Sequence, residues 1–176
     1  MKRFFSKKLL CLCLATLLAV IMSVSAFAEG VSPRLSTTRY FRFQGSAGYS
    51  LSVGRSGDPV AQNSNVCIDN YRPDSYRQQW LLETTSNGRF IVLVREGLSS
   101  NLALNVNHST NNCNVYPYPN NSFNDYAVWL NSNGTGMYYV ELSSPSTLKL
   151  DAMSNSAGGN VYWSTSSTGS SWYLQM

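Results

Sequence analysis

The chain has 176 residues, 43% of them hydrophobic and 12% aromatic, with 13 Lys+Arg against 9 Asp+Glu and four cysteines. Four of the cations, Lys2, Arg3, Lys7 and Lys8, sit at the extreme amino terminus, so the remainder carries nine charges of each sign and a formal charge of zero. That balance removes the electrostatic case for a nucleic-acid or anionic-membrane partner.

Residues 1–28 read as a cleaved secretory signal. The four cations precede an apolar run from Leu9 to Met22, and Ala26-Phe27-Ala28 supplies a small-x-small cut before Glu29. The apolar run of 14 residues is short for a membrane span, and no later stretch approaches one. Export to the extracellular space is therefore the expected localisation. About 148 residues remain, enough for one domain with a proper core. Cys67 and Cys113 are the cysteines left after processing. They stand at corresponding places in two repeats, and export permits a disulfide between them without requiring one.

Residues 29–38 form a short lead-in with Pro33 and a Ser/Thr cluster. From Arg39 onward no helical period is visible; short apolar or alternating runs are separated by Gly, Asn, Ser and Pro clusters, an all-β signature. The runs fall into three sets, at about 39–85, 86–132 and 133–176. Each set opens with a strand: Tyr40–Phe43, Phe90–Val94 and Met137–Val140. A second strand with apolar residues at i and i+2 follows, at Leu51–Val53, Leu102–Val106 and Leu148–Ala152. A third is headed each time by asparagine, at Asn65, Asn112 and Asn160. The fourth carries a tryptophan: Trp80, Trp129 and Trp172, which lie 49 and 43 residues apart. Asn87-Gly88 and Asn133-Gly134 tie one set to the next as hairpins.

A large aromatic returning at such an interval marks a repeated unit that supplies one core-filling side chain each time. Antiparallel units of four strands cannot each bury a face alone, so the three must share one core. A threefold barrel capped by three hairpins satisfies this and leaves few free edges. The predicted fold is an all-β, single β-trefoil over residues 39–176.

These residues resemble the ricin-type lectin family, also called carbohydrate-binding module family 13. Its repeat joins an apolar-x-Asp-Val strand, an Asn-Val-x-Leu-aromatic strand and a Gln-x-Trp motif, and the resemblance covers roughly Tyr40 to Met176. It implies sugar binding on the repeats, through an Asp, an aromatic platform and polar groups just before the Trp. A carboxylate suits paired sugar hydroxyls, and an aromatic ring suits the apolar C–H face of the sugar. In the first repeat Gln78 and Trp80 keep the motif, but Ser52 stands for the Asp and Asp69 for the aromatic, with Tyr71 two residues on. The second has Asn105 and Tyr116, with Ala127 two residues before Trp129. The third keeps Asp151, offers Tyr162 and Trp163 after Asn160, and has Ser170 before Trp172. The third repeat ranks first as a sugar site and the second next, while the first reads as structural. The carbohydrate contacts expected are Asp151, Tyr162, Trp163, Asn160, Asn105 and Tyr116. Gln78, Trp80, Trp129 and Trp172 are expected to hold the fold. Trp163 lies two residues after Val161 and shares its face, so an inward Val161 leaves Tyr162 as the exposed ring.

Catalytic chemistry has little footing. His108 is the one histidine; one His and two Cys at these spacings make no zinc pattern, and no nucleophile motif accompanies the His. The acidic residues are scattered rather than paired, and no Gly-rich phosphate loop opens a helix. The expectation is a secreted, non-catalytic lectin-like protein without cofactor or metal, whose partner is a glycan or polysaccharide. The alternative is a trefoil with decayed sugar sites that binds a protein, as a toxin subunit or inhibitor would.

Overall fold

A computed structural model describes residues 39–120, 122–143, 148–166 and 169–176. The signal segment and the lead-in lie outside the described residues. Twelve strands follow in chain order: β1 (Arg42–Gly45), β2 (Ser50–Val53), β3 (Val66–Asp69), β4 (Trp80–Thr84), β5 (Phe90–Val94), β6 (Leu102–Asn107), β7 (Asn112–Pro117), β8 (Val128–Ser132), β9 (Tyr138–Leu142), β10 (Lys149–Ala152), β11 (Val161–Ser164) and β12 (Trp172–Gln175). Every strand expected from the sequence is present within a few residues of its predicted place.

Six of the strands close a barrel. β1 pairs with β12, β12 with β9, β9 with β8, β8 with β5 and β5 with β4. The ring is completed ahead of β1, where Phe41 N–H donates to the Trp80 carbonyl at 2.7 Å and Trp80 N–H returns a bond to Phe41 at 2.8 Å. The other six strands form three hairpins, β2–β3, β6–β7 and β10–β11. Their edges meet through the pairs Tyr162↔Asn112, Asn65↔Asn114 and Cys67↔Asn160. Pairing hairpin with hairpin leaves none of the three as an open edge where they join. Gly88 and Gly134 carry left-handed backbone (φ 76° and 82°) in the loops predicted as Asn-Gly hairpins, a conformation that glycine adopts without Cβ strain.

At the centre of this cap the three asparagines that head the third strands bond in a closed cycle. Asn65 Nδ2 donates to Asn160 Oδ1, Asn160 Nδ2 to Asn112 Oδ1, and Asn112 Nδ2 to Asn65 Oδ1, each at 2.8 Å. Each amide is donor to one neighbour and acceptor from the other, which accounts for asparagine at all three positions. One strand of every repeat is thereby tied to both of the others.

The barrel register corrects one repeat assignment. Trp80 faces Val94 across β4–β5 and Trp172 faces Gly45 across β12–β1, whereas Val128, not Trp129, faces Leu142 across β8–β9. Val128 therefore takes the core tryptophan position of the second repeat, and Trp129 is half-buried beside Arg89, whose guanidinium lies 5.4 Å from its ring. Trp80 and Trp172 are fully buried, and each indole N–H donates at 3.2 Å to the carbonyl of a β2-type strand, Leu51 and Leu150. A third buried indole reaches the second repeat from the third, one residue away from the equivalent carbonyl of Leu104. Trp163 is 1% exposed, and its Nε1–H reaches the Asn105 carbonyl at 3.2 Å.

The two cysteines do not pair. Both are buried free thiols. Cys67 faces Ser52, while Cys113 faces Val106, so alternation along the strands places them on opposite faces of their hairpins. They are one residue out of correspondence rather than equivalent. Burial pushes the Cys67 thiol up to about 11, and burial of Cys113 pushes its thiol higher still.

Candidate functional site

The position that the resemblance gives to an Asp can be compared in all three hairpins. Ser52 pairs with Cys67, Asn105 with Asn114, and Asp151 with Tyr162. Ser52 and Cys67 are buried, and their hydroxyl and thiol both donate to the Gly54 carbonyl at 3.3 Å. Asn105 is 3% exposed and donates to Asn114 Oδ1 at 2.8 Å, while Asn114 Nδ2 donates to Asn63 at 3.2 Å. Only the Asp151–Tyr162 pair is half-exposed, and only it carries a carboxylate.

Asp151 is held on one side. Its Oδ1 accepts from the Ser170 backbone N–H at 2.9 Å and from the Ser170 hydroxyl at 2.5 Å. The same hydroxyl accepts from Ala152 N–H at 3.1 Å, which fixes its direction. Among the described residues, Oδ2 meets one long contact, from the Tyr162 hydroxyl at 3.4 Å. One oxygen thus orients the carboxylate and the other is left for a competing hydroxyl. A hollow of about 50 Å³ opens beside Ser170, walled also by Ala152 and Asn155 and by Ser46 and Tyr49 of the first repeat, but Asp151 and Tyr162 do not line it. Water occupies about 30 Å³ in the liquid, so this hollow suits a single small substituent rather than a ring.

Ser170 is the residue that sequence reading undervalued. Because Trp172 is equivalent to Trp80, Ser170 occupies the place of Gln78. Gln78 instead clamps the loop after β3, accepting from Arg72 N–H at 2.9 Å and donating to the Asn70 carbonyl at 2.8 Å. In the second repeat the place belongs to Tyr126, not Ala127, and the Tyr126 hydroxyl clamps the Pro117 carbonyl at 3.0 Å. Counting two residues back from the barrel strand, rather than from the visible tryptophan, would have found Tyr126.

The remaining expected contacts are placed as follows. Tyr116 is half-buried on β7, packed against a small cluster of Ile91, Leu93, Ala103, Tyr126 and Ala127. Its hairpin partner is Ala103, and its equivalents are Ser164, opposite Lys149, and Asp69, opposite Ser50. Trp163 is equivalent to Val115 and Ile68, so it is a core side chain and not a platform. Asn105 is turned inward and has its amide engaged. Asn160 spends its amide in the asparagine cycle. Trp163 and Asn105 are thus buried and joined to each other by the indole bond, Asn160 has its amide in the asparagine cycle, and Asp151 and Tyr162 face each other in the half-exposed pair. His108, exposed at the tip of β6–β7, lies 2.7 Å from Asp125.

The architecture recurs among solved structures. It is similar to the designed threefold-symmetric protein ThreeFoil, with a TM-score of 0.65 and 24% identity over 78% of this chain and 98% of that one. It is similar to the C-terminal half of an earthworm R-type lectin in complex with GalNAc, with a TM-score of 0.59 and 17% identity over 78% of this chain and 98% of that one. The exo-β-1,3-galactanase 1,3Gal43A of Clostridium thermocellum matches with a TM-score of 0.67 and 20% identity over 80% of this chain, which spans 30% of the enzyme. No protein-family model matches the chain, and no curated protein matches it in sequence. The fold is a β-trefoil.

Proposed function

We propose that the protein is an exported, non-catalytic carbohydrate-binding β-trefoil whose primary sugar contact is the Asp151–Tyr162 pair. The observation that carries this reading is the state of Asp151: the residue is half-exposed, Ser170 fixes Oδ1, and Oδ2 meets a phenol hydroxyl at long range. A carboxylate held in this way accepts from vicinal sugar hydroxyls without first losing its own orientation, and the adjacent ring offers an apolar face. The earthworm lectin, solved with GalNAc, and the galactanase, which acts on a galactan, support a saccharide as the ligand class. Tyr116 provides a second and weaker contact, since no carboxylate accompanies it. The signal-like amino terminus supports action outside the cell.

The test is a glycan array followed by titration of the best hit with wild type, Asp151→Ala and Tyr116→Ala. Asp151→Ala is expected to abolish measurable binding, and Tyr116→Ala to lower avidity on a polymer more than affinity for a monosaccharide. Absence of binding at millimolar sugar, together with sugar-insensitive capture of a protein from culture extract, would replace this reading with that of a protein-binding trefoil.

A further inference from the structure

Beyond the Asp151 hairpin, a cleft of about 300 Å³ lies between the first and third repeats, lined by Arg55, Ser56, Asp69, Arg72, Ala157 and Gly158. Its walls are the loop after β2, the end of β3 with the loop that follows, and the β10–β11 turn. The third-repeat wall is anchored: Gly158 N–H donates to the Ile68 carbonyl at 2.7 Å, and Ile68 N–H donates to the Gly159 carbonyl at 2.9 Å. The cleft therefore lies between elements that are bonded to each other.

The charges in it are unequal. Asp69 Oδ1 accepts from Asn70 N–H at 2.8 Å, and Oδ2 lies 3.4 Å from Arg72. The Arg55 guanidinium has no carboxylate partner among the described residues; the nearby Asp58 accepts instead from the Arg55 backbone N–H, at 3.0 Å. Two guanidinium groups and one carboxylate leave the lining with one positive charge in excess. Gly158 admits this arrangement. A Cβ there would stand 2.7 Å from Arg55 Nη2 and 3.1 Å from Cζ, so a larger residue would push the guanidinium off the turn. Its φ of +83° sets the same requirement from the backbone.

We infer that this cleft binds the carboxylate of an acidic sugar, a uronate or a sugar of similar charge, with Arg55 as the fork that receives it. The guanidinium plane matches a carboxylate with two parallel hydrogen bonds, which a neutral hydroxyl cannot reproduce. The volume holds about ten waters at liquid density, room for a monosaccharide where a bare ion would need far less. The one carboxylate in the lining, Asp69, is occupied by Asn70 N–H and Arg72, which leaves Arg55 to meet an anion. The inference shares with the preceding reading the premise of a saccharide ligand, but it uses none of the same residues.

The two are separated by titrating the full chain with glucuronate and galacturonate, with glucose and galactose, and with acetate, following backbone amide shifts. Wild type is expected to favour the uronates over their neutral counterparts by about tenfold, the worth of one charge-assisted contact. Arg55→Ala removes that preference, Arg55→Lys restores part of it, and Asp151→Ala leaves it intact. Added salt weakens it, because the guanidinium is exposed. The proposal is overturned if uronates and neutral sugars bind alike, if the preference survives Arg55→Ala, if Asp151→Ala abolishes it, or if acetate binds as well as the uronates. Failure of neutral sugars to respond to Asp151→Ala would instead count against the Asp151 site alone.

Discussion

The second and third hairpins place the same two positions opposite each other and put them to different uses. In β6–β7 the pair is Asn105–Asn114, inward, amide bonded to amide and nearly inaccessible. In β10–β11 it is Asp151–Tyr162, half-exposed, with one carboxylate oxygen fixed and the other lightly held. The backbone is common to both, so the difference comes from chemistry. Two amides can satisfy each other as donor and acceptor, and such a pair can be buried at little cost. A carboxylate facing a phenol leaves lone pairs unfilled, and burying it would incur the desolvation of a charge. A position that stays half-exposed in one repeat thus becomes glue in another by a change of two side chains.

The same exchange runs through the core, and the largest effect is expected there. Trp163 is buried in the third repeat, and its indole bonds across to the Asn105 carbonyl of the second. Trp163→Ala should cost about 3–5 kcal/mol, as for other buried aromatic truncations, measured as the shift in urea midpoint. Trp129→Ala, which removes a half-buried ring stacked with Arg89, should cost about 1 kcal/mol, nearer the worth of a surface cation–π contact. Equal losses at the two sites would mean that Trp129, rather than Val128, holds the core position of the second repeat.

Asn105→Ala comes next. It leaves Asn114 Oδ1 without that donor inside a buried pair, for which about 1–3 kcal/mol is expected, again from equilibrium unfolding. Sugar binding should be unchanged. A loss of binding at normal stability would restore Asn105 to the contact surface and erase the contrast between the hairpins.

Most of the architecture was legible in the sequence, because period-2 strands, turn residues and a recurring aromatic are local signals that barrel closure reinforces. All twelve strands and the Asn-headed third strands follow from them. The site was less legible, and the reason is register. Trp129 is the most visible residue of its strand, yet Val128 holds the core position; the one-residue slip also hides Tyr126 as the counterpart of Gln78. On a strand a slip of one residue reverses the face. That is also why Cys67 and Cys113 read as equivalent, whereas Trp163 was legible as inward from its spacing to Val161. The asparagine cycle and the Arg55 cleft depend on contacts between repeats, about which local patterns carry no information.

Cys67 extends the comparison to the first hairpin, where it sits opposite Ser52 at the place of Asn114 and Tyr162. Its folded-state value is raised by burial to about 11 from an ordinary 9.0. The folded chain therefore holds this proton more tightly than the unfolded chain does. The resulting stability is fully present below pH 9 and is lost as pH rises from 9 toward 11. Cys113, raised further by burial, contributes with the same sign. Unfolding midpoints measured across that range should fall less steeply in Cys67→Ala than in wild type. Parallel slopes would mean that the thiol is hydrated, and that the first hairpin is as open as the third.

Tyr162→Phe carries the smallest expected change and divides the third hairpin most finely. The lost contact to Asp151 Oδ2 is long, 3.4 Å, so stability should move by less than about 0.5 kcal/mol, the low end for a hydrogen bond. The ring remains, and Oδ2 no longer meets the phenol hydroxyl for which a sugar must compete. Binding of the best array hit should then be equal to wild type or modestly tighter. Tyr162→Ala, which removes the ring as well, should weaken it by about tenfold, the worth of about 1.4 kcal/mol of stacking. If Phe and Ala weaken binding alike, the phenol hydroxyl is the contact and the ring is only its support. The exposed pair would then resemble the buried Asn105–Asn114 pair more closely than their burial suggests, with polar atoms carrying both and only accessibility separating them.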